Sequence, residues 1–209
     1  MGQSDLIVSE AGRRPARTAG VPPAHGPMQH KGWHSRGYLP HFDSPETVQF
    51  VTFRLADSLP THVAKALQNR DHALPRLERE LDAGLGACWL RRTDIASMVE
   101  DALLHFDGNR YRLLAWCLMP NHAHVVVEIV SENSLSEIVG SWKSFTAKQA
   151  NKAIGRSGAF WHADYFDRYM RDEGHLARTI DYVESNPVKA GLIKIADEWA
   201  WSSARLRKT

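Results

Sequence analysis

Two consecutive apolar segments constrain the fold of this chain more than any other feature. Residues 111–119 (YRLLAWCLM) are almost continuously apolar, which is typical of a central β-strand buried on both faces. Pro120-Asn121 interrupts the pattern, and residues 122–130 (HAHVVVEIV) predict the next strand. The two segments therefore predict the centre of a small sheet.

One further strand and several helical segments are predicted before and after these two strands. Residues 48–55 (VQFVTFRL) predict an earlier strand, and apolar residues that recur every three or four positions predict helices around the sheet. Local signals set the boundaries: Asp94 as an N-cap, Ser134 with Glu137 as a capping box, an aromatic-rich loop over 160–169, and a last helix over 173–186 that Pro187 ends. This order predicts an α+β fold, with a small antiparallel sheet covered by helices.

The N-terminal segment differs in composition from the rest of the chain. Residues 1–27 hold four Pro, four Gly and three Arg, with almost no large apolar residues after Val8. Such a segment buries too little surface to offset the entropy of ordering it. We therefore expect a flexible tail over residues 1–30 and a single domain over 31–209.

Composition excludes several classes of protein. The two cysteines, Cys88 and Cys117, are too few for a disulfide scaffold or a four-cysteine zinc module. No apolar run is long enough to span a bilayer, and the N-terminus lacks the apolar core of a signal peptide, so we expect a cytoplasmic protein without a membrane partner. The formal net charge of +2 gives no hint of a nucleic-acid partner and excludes none.

The strongest chemical signal is the His122-Ala123-His124 sequence at the start of the second apolar strand. In a strand, residues i and i+2 point to the same face, about 7 Å apart along the chain. The apolar flanks indicate that both imidazoles are buried, and buried imidazoles need partners. Two polar residues at a strand end are one reading. A metal site is the other, and with an oxygen ligand from elsewhere it would suit Mn, Mg or Zn.

The last predicted helix carries candidates for the missing groups. At about 100° per residue, a polar face holds His175, Arg178, Tyr182 and Asn186, offset from the apolar stripe. Tyr182 at the edge of that stripe is compatible with packing alone, and Asn186 with a helix end.

Together with the histidines, however, this face permits a reaction. The Tyr182 hydroxyl could attack a phosphorus polarised by a metal on His122, His124 and the Asn186 amide oxygen. Arg178 and Lys189 could then neutralise the phosphate.

Two long motifs resemble those of a known family. WCLMPNHAHVVVE (116–128) resembles the HUH motif of the single-tyrosine transposases, and DYVESNPVKAGL (181–192) resembles their C-terminal helix. Shorter stretches resemble the REP-associated tyrosine transposase branch: GYLPHFD (37–43), VQFVTFRLADSLP (48–60), LDAGLGACWL (81–90), FDRYMRD (166–172) and WSS (201–203). The resemblance covers about residues 37–203. It departs from the family at Ala123, which is small where the motif has a bulky residue.

The resemblance implies a fold, an activity and a set of site residues. The fold would be ferredoxin-like, with a central antiparallel sheet that carries the histidines. The activity would be cleavage and rejoining of single-stranded DNA that depends on Mg or Mn, with a 5′-phosphotyrosine intermediate and a free 3′-OH. His122 and His124 would bind the metal, Tyr182 would be the nucleophile, and Asn186 would take the position of a third, polar ligand.

The resemblance also implies a partner and an oligomeric state. Enzymes of this branch are associated with hairpins of short palindromic repeats, so hairpin-bearing single-stranded DNA is the implied substrate, bound by a monomer rather than a homodimer. Candidate DNA contacts are the basic residues near the motifs, Lys143, Lys148, Arg168, Arg178 and Lys189. A solvated helix face is the other reading of the lysines. Tyr169 is the second candidate nucleophile.

Two other functions stay open from the sequence. A catalytically silent or regulatory protein could keep the fold and bind DNA hairpins without cutting them, although binding alone needs neither the histidine pair nor Tyr182. An unrelated metal-dependent hydrolase would need carboxylate ligands. Glu128 has the right strand parity but lies about 13 Å beyond His124, too far to bind the same ion.

Overall fold

The computed structural model describes residues 32–35, 40–43, 47–60, 63, 73–130 and 133–207, so the expected tail over 1–30 lies outside it. In chain order, the elements are β1 (Gly32–Ser35), β2 (Pro40–Asp43), β3 (Val48–Arg54), α1 (Ala73–Asp82), α2 (Thr93–Leu104), β4 (Tyr111–Leu118), β5 (His122–Ile129), α3 (Leu135–Ala153), β6 (Phe166–Tyr169) and α4 (Glu173–Lys189). Within those ranges, no helix combines the length and apolarity needed to cross a bilayer.

An open four-stranded sheet forms the centre of the fold. Its strand order is β4-β5-β3-β6, and every neighbouring pair is antiparallel. β5 pairs with β3 on one side and with β4 on the other, while β1 and β2 form a separate hairpin. The predicted α+β class is therefore confirmed, as are the three strands that the apolar segments predicted.

Strand alternation divides the core into two halves. Val125 and Val127 of β5 are fully buried in a cluster with side chains of α2 and α3. Val126 points the other way, into a second cluster with Val183 of α4. Helices thus cover both faces of the sheet, and His122 and His124 share the α4 face with Val126.

Three local features differ from the sequence-based expectations. The predicted loop over 160–169 contains β6, a four-residue strand too short to show a periodicity. Arg92, not Asp94, is the N-cap of α2, and Asp94 lies in the first turn, in an ion pair with exposed Arg92. Helix α4 continues through Pro187 to Lys189: Pro187 lacks one N–H donor, but the last turn still closes through the Ala190 N–H, which donates to the Asn186 carbonyl at 2.9 Å.

The turn before β5 is held from three directions. The Leu55 amide donates to the Asn121 carbonyl at 2.8 Å, and the Leu90 amide donates to the Pro120 carbonyl at 3.2 Å. The Asn121 side-chain amide donates to the Leu85 carbonyl at 2.9 Å. Because β5 begins at this turn, these bonds fix where its first residue, His122, enters the sheet.

The segment that contains Leu85 depends on a glycine. Gly86 has a φ of +87°, and a Cβ added there would lie 2.6 Å from the Asp57 carbonyl oxygen. Gly84 has a φ of +68°, but a Cβ there would meet nothing within 4 Å. We expect Gly86→Ala to lower the free energy of unfolding by about 1–3 kcal/mol more than Gly84→Ala, since only the first adds a steric clash to the left-handed backbone. Equilibrium urea unfolding measures the difference, and equal losses would contradict it.

Candidate active site

The two histidines of β5 meet at their outer ring nitrogens. Both side chains are 0% exposed, and their Nε2 atoms lie 3.0 Å apart. The alternation of the strand places both rings on the α4 face, as the sequence predicts. This separation allows both nitrogens to bind a single ion.

Hydrogen bonds to the inner ring nitrogens orient the pair. The Asn121 amide nitrogen already donates to Leu85, so its Oδ1 accepts from His122 Nδ1 at 2.8 Å. His122 Nε2 therefore carries a lone pair rather than a proton. Thr52 of β3 lies opposite His124 in the register, and its hydroxyl bonds His124 Nδ1 at 2.8 Å. Partners of this kind orient histidines that bind metals.

Burial keeps both imidazoles neutral. It lowers the pKa of His124 to about 3. It also lowers the pKa of His122 well below the usual value, with a smaller contribution from neighbouring His124. The neutral ring is the form that binds a metal, so this pair is ready to bind one at neutral pH.

Two oxygen atoms near the histidines lack a hydrogen-bond donor. Asn186 is 1% exposed, its amide nitrogen donates to the Tyr182 hydroxyl at 3.5 Å, and its Oδ1 has no partner among the described residues. Asp82 Oδ1 is also buried without a hydrogen-bond partner among the described residues, and it lies 3.9 Å from His122 Nε2. Burial raises the pKa of Asp82 to about 6. Buried acceptors without a donor are costly unless a cation compensates them.

The donor chemistry fits a divalent metal ion. Two neutral imidazoles and an amide oxygen form a mixed nitrogen and oxygen set that suits Mn, Mg or Zn. Within the part of the chain that the structure describes, no three His, Cys, Asp or Glu side chains are grouped as a metal site. The unpartnered Asn186 oxygen, or oxygens of a substrate, would complete a site built on His122 and His124.

Tyr182 packs directly against the histidine pair. Its ring centroid lies 5.6 Å from that of His124, and Lys189 Nζ lies 4.7 Å from its ring. Burial raises the pKa of the Tyr182 hydroxyl well above its usual value, and the negative charge of Glu78 raises it further. The hydroxyl is therefore protonated at neutral pH.

A cavity of about 230 Å³ opens beside Tyr182. Its walls come from α1, β3, β6 and α4, through Phe50, Glu78, Arg168, His175, Arg178, Thr179 and Tyr182. Four of these side chains lie on α4, which is the polar helix face that the sequence indicates. Two guanidinium groups on the walls make the cavity suitable for an anionic group.

Most of the site residues chosen from the sequence meet at this site. His122, His124, Tyr182, Asn186 and Lys189 form one cluster, and Arg168 and Arg178 line the adjoining cavity.

Three other candidates lie elsewhere. Lys143 and Lys148 belong to α3, which packs on the opposite face of the sheet, and Lys143 Nζ donates to the Ala163 carbonyl at 2.7 Å. Tyr169 of β6 is paired with Gln49 of β3. At this position in the strand, its side chain points to the face of the sheet away from the histidines.

Sequence reasoning missed four residues that touch the site, Thr52, Glu78, Asn121 and Asp82. Glu78 and Asp82 are four residues apart in α1, the spacing that places two side chains on one helix face. That spacing is a weak signal by itself, because it is also typical of a solvated helix face.

Removal of the Thr52 hydroxyl tests its orienting role. We expect Thr52→Val to weaken Mn²⁺ binding about 10–100-fold, since His124 loses the partner that holds its ring. Thr52→Ser keeps the hydroxyl and should bind Mn²⁺ like the unmodified protein. Isothermal titration calorimetry measures both affinities. Equal affinities of the two variants would show that Thr52 does not orient His124.

Comparison with known proteins agrees with this geometry. Residues 93–186 match the model of the IS200-like transposase family. A protein of Haemophilus influenzae named as a REP-associated tyrosine transposase is 25% identical over 103 residues, covering 44% of this chain and 58% of the relative. The REP-associated tyrosine transposase of Escherichia coli K12 is 23% identical over 107 residues, covering 51% and 62%. The chain thus spans about three fifths of the length of these relatives.

A solved structure shares the fold. It is described as a REP-associated tyrosine transposase bound to a REP hairpin, and the two chains superpose with a TM-score of 0.52 and 21% identity. The superposition covers 78% of this chain and 79% of the other. The resemblance found in the sequence is confirmed: residues 93–186, which include the histidine pair and Tyr182, match the IS200-like transposase family, and the chain is similar to REP-associated tyrosine transposases.

Proposed function

We propose that this protein is a metal-dependent endonuclease and transposase of single-stranded DNA that acts on hairpins. The observation that carries the proposal is the position of the Tyr182 hydroxyl. It is bonded by Asn186, packed against a neutral histidine pair, and open to a cavity with two guanidinium groups. Relatives named as tyrosine transposases support the same activity.

The proposed reaction is a transesterification at phosphorus. His122, His124 and Asn186 would hold Mg or Mn, which supplies positive charge to the phosphate oxygens when bound. The Tyr182 oxygen attacks the phosphorus, and the bond to the 3′ oxygen breaks. The products are a 5′-phosphotyrosine and a free 3′-OH. Because the phosphodiester energy is kept in the protein–DNA bond, rejoining needs no ATP.

Three basic residues would hold the DNA near the nucleophile. Arg168 and Arg178 line the cavity beside Tyr182, and Lys189 lies over its ring. Guanidinium groups bind phosphate through paired hydrogen bonds, so the two arginines suit the scissile phosphate and its neighbours. Lys143 and Lys148 stay predictions for the opposite face of the sheet.

A hairpin partner and a monomeric state belong to the same proposal. The solved relative is described as bound to a REP hairpin. The β4 edge of the sheet supports a monomer because the chain covers it itself. Leu118 N donates to the Trp201 carbonyl at 2.8 Å, and Cys117 forms a β-bridge with Ser202. An edge covered in this way does not pair with a second copy.

A covalent adduct with DNA tests the nucleophile. We expect the protein to form an adduct that resists denaturation with a labelled hairpin-bearing single strand in the presence of Mn²⁺. Tyr182→Phe should abolish the adduct and keep hairpin binding, since it removes only the attacking oxygen. Tyr169→Phe is the matched control and should keep the adduct. Denaturing electrophoresis and a mobility-shift assay measure the two properties.

Each other outcome identifies a different function. An adduct that survives in Tyr182→Phe contradicts the assignment of the nucleophile. Binding without an adduct in the unmodified protein favours the silent or regulatory hairpin-binding protein. Cleavage without an adduct favours a hydrolase.

Salt dependence tests which basic residues contact DNA. We expect Arg168→Ala and Arg178→Ala each to weaken hairpin binding and to reduce the slope of log affinity against log salt by about 1, because each removes one phosphate contact. Lys148→Ala, on the opposite face of the sheet, tests whether the DNA also reaches α3, and an unchanged slope would confine binding to the cavity side. Fluorescence anisotropy over a salt series gives the slopes. A reduced slope in Lys148→Ala alone would move the DNA path to α3.

A further inference from the structure

Helix α1 brings two carboxylates to the candidate site. Asp82 lies 3.9 Å from His122 Nε2, so this face of the helix is turned toward the histidine pair. Glu78 lies one turn earlier on the same face, and its side chain lines the cavity together with Tyr182. Glu78 and Tyr182 thus face the same cavity, and after burial the negative charge of Glu78 is the largest cause that raises the pKa of the Tyr182 hydroxyl.

The nucleophile needs a proton acceptor. A tyrosine hydroxyl is ordinarily protonated at neutral pH, so it attacks phosphorus only if another group takes its proton. Asn186 cannot do so, because it offers the hydroxyl an amide N–H. His175 lines the same cavity, but its Nδ1 already accepts the Arg171 backbone N–H at 3.4 Å. Among the described residues that line the cavity with Tyr182, Glu78 is the carboxylate.

The environment of Glu78 suits this role. Burial raises the pKa of Glu78, and the negative charge of Asp82 raises it further, while the neighbouring Tyr182, Arg168 and Lys189 lower it, with a net rise. A raised pKa makes a carboxylate a stronger base, and a catalytic base works best when its pKa is close to the operating pH.

We propose that Glu78 is the general base that accepts the Tyr182 proton during DNA cleavage, an inference that rests on the transposase function proposed above. The Tyr182 O–H proton moves to the Glu78 carboxylate as the tyrosine oxygen bonds to phosphorus. The P–O bond to the 3′ oxygen breaks, and that oxygen leaves with the electron pair and takes a proton from water. During rejoining, the 3′-OH loses a proton to water and attacks the phosphotyrosine, and Tyr182 recovers its proton from Glu78.

The geometry of displacement limits Glu78 to the tyrosine side. Attacking and leaving oxygens lie roughly in line on opposite sides of the phosphorus. A carboxylate on the tyrosine side of the phosphorus therefore cannot also reach the 3′ oxygen, so Glu78 acts on one oxygen in both directions of the reaction.

Glu78→Gln tests the proposal without removing the hydrogen-bond acceptor. The amide oxygen of glutamine can still bond the Tyr182 hydroxyl, but it cannot take the proton. We expect single-turnover formation of the adduct to slow about 10²–10³-fold. Hairpin affinity should stay equal or rise, because a negative charge next to the DNA is lost. Glu80→Gln, the same change two residues away in α1, should keep the wild-type rate.

A pH profile separates a base from a structural residue. In the unmodified protein, the rate should fall at low pH as Glu78 becomes protonated. In Glu78→Gln this acid limb should disappear, and the rate should rise about tenfold per pH unit as hydroxide replaces the base. Both proteins keep the other titratable and charged groups that face Glu78, namely Asp82, Arg168, His175, Arg178, Tyr182 and Lys189.

The outcomes distinguish this proposal from the function on which it rests. A Glu78→Gln rate within threefold of the Glu80→Gln control, or an acid limb that stays unchanged in Glu78→Gln, would overturn the role of Glu78 alone. Failure of the unmodified protein to form an adduct would overturn the transposase function, and the general base with it. A slow variant whose rate recovers at high pH supports both.

Discussion

The site depends on the register of β5, which lies between two partner strands and points its side chains alternately to the two faces of the sheet. β5 is paired along its length with β3 and β4, so its register is fixed from both sides. A slip by one residue would turn His122 and His124 into the apolar core and bring Val125 to the α4 face. The valine packing that stabilises the sheet therefore also determines where the two imidazoles point.

Burial then sets the chemistry of every group in the cluster. Removal from water keeps the imidazoles neutral, which favours metal binding. The same desolvation keeps the Tyr182 hydroxyl protonated, which opposes nucleophilic attack. Because the same burial acts on both groups, the proposed cleavage needs a base close to Tyr182. Helix α1 is the element that brings carboxylates to it, with Asp82 beside His122 and Glu78 beside Tyr182.

Features encoded within short segments could be predicted from the sequence. The three long strands, the capping box at Ser134 and the polar face of α4 each follow from a local pattern, and all of them occur in the structure. The contribution of α1 could not be predicted, because its carboxylates reach the site through tertiary packing between segments about 40 and 100 positions apart in the chain. Lys143 follows the histidine strand closely in the sequence, yet helix α3 places it on the opposite face of the sheet from the histidines.

The position of Tyr182 depends on contacts made on the other side of its helix. Val183 is fully buried against the sheet, and the next residue, Glu184, accepts hydrogen bonds from Ser203 and Arg207, each at 2.6 Å. Ser203 is in turn bonded to the backbone of Trp116 in β4. The C-terminal segment thus ties α4 to the sheet and fixes its rotation. Since Tyr182 packs against His124 of β5 and shares a cavity with Glu78 of α1, a helix free to rotate would lose these contacts, so residues far from the histidines hold the nucleophile in place.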